Sequence, residues 1–224
     1  MEQADGETIA PSIPTTSYQC QELILFGSLR SEHVENLEAR LAGLCDKSCQ
    51  EFQEHELTCT LRVTPSATSL SSQSNVTVRL RRVFNFDIMN QTANKWHMRY
   101  MGMPEPTVKC PVIVRKVIDS VMHSVNMMEF IKALGLRMEY EYITEGKVYT
   151  CGKIKIVLNK LKKCESPGRY DVSHVKPFTN AVLVEVSTAL PDGVEYMQEA
   201  KQLRAFADQL LPLVKMEKIE YWKK

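Results

Sequence analysis

Glu139 and Glu141 stand two positions apart in an alternating run, a spacing that aims both carboxylates the same way if the run is a strand. Paired acids inside a barrel could hold a divalent metal for phosphoanhydride hydrolysis. By the same arithmetic Arg79 and Arg81 share a face, as do Lys153 and Lys155, and such pairs could grip phosphate. A metal tunnel needs a second strand of paired acids, and the best candidate offers Glu185 followed only by Ser187. The simpler expectation for all these charges is the solvated outer face of a sheet, where cross-strand ion pairs contribute about 0.2–1 kcal/mol each.

Cys45, Cys49, His55 and Cys59 are the nearest approach to a zinc set, since zinc accepts Cys and His in a tetrahedral shell. Gathering them would break a helix end and a strand that the residue pattern supports, so buried or scattered thiols are expected instead. His97, beside Trp96 and Arg99, could stack on a base, but strand packing explains it more simply. Gly-rich phosphate loops, nucleophile elbows and Cys/His nucleophile pairs are missing from the sequence. The expectation is therefore no catalytic, cofactor-binding or metal-ligating residue, and no cofactor.

The elements that must position these groups are written in the hydrophobic pattern. Residues Met1 to Ser17 lack periodicity and carry Pro11 and Pro14, which predicts a disordered tail over 1–18 and a single domain over 19–224. Gln21 to Leu29 reads as a strand, followed by a helix from Glu32 to Leu44 with Ser31 as N-cap and Val34, Leu37, Leu41 and Leu44 on one face. His55 to Val63, Val76 to Phe84 and the Trp96 run alternate as strands, the last two forming a hairpin; Thr64 to Asn75 and Asn85 to Asn94 are loops. Val112 to Val121 is rich in β-branched residues and reads as a strand, although Val114, Val117, Ile118 and Val121 also fit a helical period. Asn126 and Glu129 open a short helix with Phe130, Ile131 and Leu134 as its apolar face, and Gly135 closes it. Leu136 to Thr144, a Glu145-Gly146 turn, Lys147 to Thr150, Lys153 to Leu161 and Ala181 to Ala189 follow as strands, then a helix from Val194 to Leu211. About eight strands and three helices without regular β-α-β alternation predict a mainly β fold: an antiparallel closed barrel with flanking α-helices. Whether its interior is packed with apolar side chains or lined by facing charges is open.

Composition bounds the function classes. A 224-residue chain with 44% hydrophobic and 25% charged residues is globular, and its net charge of +1 provides no long-range field for nucleic acid or lipid. Seven irregularly spaced cysteines, with no apolar signal run before them, read as reduced thiols, so the sequons at Asn75 and Asn90 carry no chemical meaning. No apolar run approaches the ~20 residues needed to cross a bilayer. A cytosolic or nuclear protein is expected.

Several segments together carry a resemblance. Gln21-Glu22-Leu23-Ile24-Leu25-Phe26-Gly27-Ser28, the helix end Arg40-Leu41-Ala42-Gly43-Leu44-Cys45-Asp46, and His55-Glu56 are similar to the N-terminal third of the Mediator of RNA polymerase II transcription subunit 18 family. Trp96-His97-Met98-Arg99-Tyr100-Met101-Gly102-Met103-Pro104-Glu105 resembles its middle, and Phe130 to Tyr142, Gly152 to Ile156, and Phe206 to Val214 with Glu217-Lys218-Ile219 its C-terminal half. The departures fall in the two long loops. The resemblance implies a nuclear, non-catalytic interaction subunit of the Mediator head module, with a barrel related to tunnel triphosphatases. It further implies pairing with the related barrel of Mediator subunit 20 and receipt of a C-terminal helix of Mediator subunit 8. Through them and other head subunits it would couple regulators to the polymerase machinery as a coregulator, without membrane or sequence-specific nucleic-acid contact. A metal-dependent triphosphatase or phosphate-binding barrel using Glu139 and Glu141 is the alternative.

Overall fold

The computed structural model describes residues 19–46, 48–61, 76–86 and 95–219. The predicted tail, the 64–75 loop, all but the first two residues of the 85–94 loop and both sequon asparagines lie outside the described residues. Alternating segments become nine strands: β1 (Gln19–Arg30), β2 (Gln50–Leu61), β3 (Val76–Val83), β4 (Lys95–Met101), β5 (Ile113–His123), β6 (Arg137–Cys151), β7 (Ile154–Cys164), β8 (Val175–Pro177) and β9 (Ala181–Pro191). Among the described residues three α-helices accompany them: α1 (Val34–Leu44), α2 (Met127–Ala133) and α3 (Met197–Asp208). Neighbours run in the order β6-β2-β3-β4-β5-β1-β9-β7, all antiparallel, and β6 pairs β7 to close the ring. Short β8 adds to the far end of β7, so eight of the nine strands form the closed barrel. Closure satisfies the strand edges that an open sheet would leave unpaired.

The helical alternative for residues 112–121 fails because β5 pairs with β1 on one side and β4 on the other. The predicted β3–β4 hairpin forms, with Arg79 opposite Arg99 and Arg81 opposite His97. Two local expectations are corrected. Glu145-Gly146 is not a turn but the middle of β6, which pairs with β2 through Phe52 and with β7 through Asn159 at Gly146. A Cβ there would sit 1.8 Å from the Leu158 carbonyl oxygen, so glycine marks close backbone approach within a strand rather than a chain reversal. Ser31 does not cap α1: a 3-10 turn over Ser31–His33 precedes that helix, and the Ser31 hydroxyl donates instead to the Asn180 carbonyl at 3.0 Å. Asn126 does cap α2, accepting from the Glu129 amide at 3.2 Å, and Gly135 takes a φ of +76° beyond its end.

Most of the apolar core lies outside the barrel wall, while Ile24, Ile113 and Val117 are buried on the inner parity of β1 and β5. Leu23 and Leu25 of β1, Val114 of β5, Val184 and Val186 of β9, and Ile156 and Leu158 of β7 pack beneath α1 and α3, which contribute Leu37, Leu41, Leu203, Phe206 and Ala207. On the opposite arc α2 lays Met127 and Ile131 over Leu57, Val78, Leu80 and Trp96. Each fully buried Leu or Ile of these layers stabilises by about 1.5–3 kcal/mol. The α2 face is narrower than its periodicity predicts, for Phe130 and Leu134 are exposed. With the apolar parity of each strand turned outward to the helices, the other parity points into the barrel.

Candidate functional site

Side chains from every strand of the ring meet in one interior cavity of about 600 Å³. Its wall is charged. Glu22 (β1), Glu56 (β2), Arg79 and Arg81 (β3), Arg99 (β4) and Arg115 (β5) share it, with Tyr142 (β6) and Glu185 (β9) beside them. The Arg79/Arg81 pair, expected on a solvated outer face, points inward: alternation puts two such residues on one side, but the helices have taken the other side for the core. Lys155 and Lys153 stay exposed, with Lys153 in the β6–β7 turn rather than in a strand.

Glu56 is the hub of this network and is almost fully buried. One of its oxygens accepts from Arg81 Nε and Nη2 at 3.0 and 2.8 Å, and the other accepts from the Tyr142 hydroxyl and lies 3.5 Å from Arg79 Nε. Glu22 accepts two bonds from Arg115 at 2.9 and 2.7 Å and one from Arg99 at 3.3 Å, while Arg99 also forks onto Asp119 at 2.8 and 3.0 Å. Removing one partner of a buried pair such as Glu22–Arg115 costs about 3–5 kcal/mol, because the remaining charge is stranded. Burial works against the Arg81 charge, but Glu56 and Glu54 outweigh it and hold the guanidinium above its usual range. Burial and the neighbouring Glu56 charge push the Tyr142 phenol up, so it stays a donor. Burial, reinforced by Glu22, also raises the Glu185 carboxyl.

Glu139 and Glu141 both border this cavity, but their carboxylates are engaged by different partners and are not brought together as a metal pair. The β2–β6 ladder shifts register between Thr58 and Cys59, so the regular two-residue alternation is broken at Glu139, which accepts from the Thr60 hydroxyl at 2.6 Å. It is Tyr140 and Tyr142 that stack on the lumen side, their ring centres 6.1 Å apart. Glu141 is engaged at the outer wall by His55 Nε2 at 2.9 Å, the Tyr170 hydroxyl at 2.9 Å and the Gly168 amide at 2.8 Å. Burial pushes Glu141 up, yet these hydrogen bonds prevail and hold it below the usual carboxylate range. Burial depresses His55, whose Nδ1 accepts from Arg82 Nε at 3.2 Å, making it a neutral bridge between strands. Arg82 in turn lies over Trp96, 4.7 Å from the ring centre, so Trp96 is packing, and His97, on the Arg99 side of β4, is exposed and borders a second cavity with Arg79, Arg81 and Arg99.

The four residues of the zinc hypothesis stay apart. Cys45 ends α1, Cys49 is exposed, Cys59 is sealed in the core under α2, and His55 belongs to Glu141. Among the described residues no group of three or more His, Cys, Asp and Glu is arranged to hold a metal ion. Burial pushes the Cys59 thiol to about 11, with Glu139 adding to it, and Cys45 likewise to about 11 through burial and Cys151. The lumen residues that sequence reasoning passed over are Glu22, Glu56, Arg115 and Tyr142. Glu22 just before the apolar run Leu23–Phe26 and Arg115 just after Val112–Val114 were the available signal; that they face each other follows from the β1–β5 register, where they are directly opposed.

Comparison with known proteins places this geometry. A family model described as Med18 protein matches residues 21–223. Mediator of RNA polymerase II transcription subunit 18 from Caenorhabditis elegans is 47% identical over 220 residues, covering 98% of this chain and 92% of the relative. The Drosophila melanogaster protein of the same name is 36% identical, covering 89% of this chain and 86% of its own. Among solved structures, a chain of the Schizosaccharomyces pombe Mediator head module superposes with a TM-score of 0.71 at 18% identity, covering 89% of this chain and 98% of that one. The PH1819 protein of Pyrococcus horikoshii shares the fold with a TM-score of 0.56 at 14% identity, covering 90% of this chain and 96% of that one.

Proposed function

This chain belongs to the Mediator subunit 18 family, and from that premise we propose that it is a non-catalytic, nuclear scaffold of the Mediator head module. Its role is to hold a C-terminal helix of Mediator subunit 8 and the related barrel of Mediator subunit 20, and through them to act as a coregulator of RNA polymerase II transcription. The observation that carries this reading is the near-full-length match to relatives that bear the Mediator subunit 18 name. The site geometry agrees with it. Glu139 and Glu141, which the hydrolytic alternative requires as a pair, are bonded to separate protein partners, and Glu141 is turned into the wall against His55. A barrel whose edges are closed and whose core is carried by external helices is a rigid platform, which suits recognition by apolar helix docking and by surface complementarity.

Coexpression tests the proposal. The chain, the subunit 8 C-terminal segment and subunit 20 of the same species are expected to elute together in size-exclusion chromatography as a 1:1:1 complex. Elution of this chain apart from both partners would refute it. For the hydrolytic alternative, Mn²⁺-dependent release of phosphate that Glu139→Ala plus Glu141→Ala abolishes would overturn the non-catalytic assignment.

A further inference from the structure

Two half-buried thiols are brought side by side where the chain leaves α1 and heads into β2. The Asp46 amide donates to the Thr150 carbonyl at 2.7 Å, and the segment runs on into β2, which is antiparallel to β6. Cys45, extended with φ −103° and ψ 172°, precedes Asp46, and Cys151, the last residue of β6, follows Thr150. In an antiparallel ladder the residues on either side of a hydrogen-bonded pair form a non-hydrogen-bonded pair. Their Cα atoms stand about 4.5 Å apart, inside the range of about 4.4–6.8 Å that a disulfide spans. The side-chain direction agrees, for Cys151 Sγ donates at 3.4 Å to the Leu44 carbonyl, the group joined to the Cys45 nitrogen. Both residues lie at the edge of the outer core, and neither is sealed inside it.

The other thiols do not share this placement. Extending the β2–β6 ladder from Gln50 opposite Val148 brings Cys49 opposite Tyr149, not Cys151. Cys59 faces Met138, and Cys164 faces Val175. The position of the pair gives a cross-link a structural consequence. Leu37 and Leu41 are the fully buried residues of α1. The helix is otherwise held to β6 by the Glu38–Lys147 ion pair at 2.8 Å and to the end of α3 by Arg40, which donates to the Gln209 carbonyl at 3.0 Å. Between α1 and the wall lies an outer cleft of about 570 Å³, lined among others by Val34, Glu38, Phe52, Lys147 and Leu158. A covalent tie at the end of α1 fixes the helix over that cleft.

We propose that Cys45 and Cys151 are a redox-active pair that closes into a disulfide, tying the C-terminal end of α1 to the β6–β7 turn when the surrounding thiol–disulfide balance becomes oxidising. The co-reactant is a low-molecular-weight disulfide such as oxidised glutathione. One protein thiol loses its proton and attacks that disulfide, releasing one glutathione thiolate; the second then attacks the mixed disulfide and releases the other. Two protein thiols thus give up two electrons, one glutathione disulfide takes them, and the two protons pass to the departing thiolates. Disulfides inside cells are characteristically transient and redox-sensing. Burial, with Cys151 and Asp46 beside it, pushes the Cys45 thiol up to about 11, so the open pair is stable at neutral pH and closes by slow exchange. The closed ring takes in β2 to β6, which restricts the unfolded chain over a long loop. The proposal does not depend on which Mediator subunits the protein holds.

Peptide mapping tests it. The purified full chain is equilibrated near neutral pH with an excess of either reduced or oxidised glutathione, quenched with acid, alkylated in denaturant and digested without reduction for mass spectrometry. A peptide joining Cys45 to Cys151 is expected in oxidised glutathione and is expected to disappear on treatment with dithiothreitol. Thermal melts of the same samples are expected to show Tm higher by about 5 °C or more in the oxidised chain. Cys45→Ser and Cys151→Ser are each expected to abolish both the link and the rise in Tm, whereas Cys49→Ser, at the exposed thiol, keeps both. The map of the unaltered chain reads the link directly, so the outcome does not rest on how the serine variants fold. Glutathione adducts with no link between protein thiols, or a link that joins Cys49 to either partner in place of Cys45–Cys151, overturns the proposal.

Discussion

Replacing Glu56 by glutamine tests the contribution of the interior charge network, because the change keeps the shape of the side chain while removing its charge and turning one of its two acceptor oxygens into a donor. Glu56 accepts three hydrogen bonds, two from Arg81 and one from Tyr142, and its side chain is 2% exposed. Hydrogen bonds to a charged group contribute about 1.5–3 kcal/mol and those to a neutral one about 0.5–1.5, so each bond weakens by about 1 kcal/mol. Arg81 is 38% exposed and keeps Glu54 at 3.2 Å, which screens part of the loss. The expected destabilisation is therefore about 2–3 kcal/mol, which for a chain of this length lowers Tm by about 4–12 °C. Circular dichroism melts at pH 7 read it directly. A double-mutant cycle with Arg81→Gln adds the test that matters: the two changes are expected to be non-additive by about 1–2 kcal/mol, since the second removes a charge the first has already stranded. Strict additivity, or a Glu56→Gln melt within about 1 °C of the parent, would show that solvent in the lumen supports these charges and that the network does not stabilise the barrel.

Gly146→Ala places a Cβ against the Leu158 carbonyl, where no rotamer offers relief, so β6 must shift off β7. It should cost about 3 kcal/mol or more in urea denaturation, and a loss below about 0.5 kcal/mol would count against the close approach. Leu203→Ala in α3 empties a fully buried position over the outer wall and should cost about 2–5 kcal/mol by the same measurement. Glu141→Gln should lower Tm at pH 7. The native carboxyl titrates below its unfolded value of 4.5, so its contribution is present above that pH and lost as pH falls through the lower native pKa. The gap between variant and parent is accordingly expected to persist from pH 7 to about 4.5 and to close below it; a gap already closed at pH 6 would refute the hydrogen-bonded Glu141.

The alternation of residues 21–29, 76–84 and 96–101 is a local property, and it marked these strands correctly without any knowledge of their neighbours. The Asn126 cap with Gly135 delimited α2 for the same reason, since both act within one turn of backbone. Helix ends were less legible: α3 stops at Asp208 rather than at Leu211. Gly146 shows where local reading fails, because a glycine between alternating runs looks the same whether the chain turns there or merely passes close to another backbone. Only the position of β7 decides between them.

The candidate site depended on tertiary structure more heavily still. Period-two spacing states that Arg79 and Arg81 lie on one side, and that Glu139 and Glu141 would too, but not which side nor whether the ladder stays in register. The sequence by itself determined the family, the strand-rich class and the absence of a recognisable catalytic set. Tertiary structure decided that α1, α2 and α3 cover the apolar parity from outside, that charge therefore fills the lumen, and that a register shift separates Glu139 from Glu141. The physical reason is that a strand's two faces are chemically labelled along the chain, whereas inside and outside are created only when the sheet closes and the helices choose a face to bury.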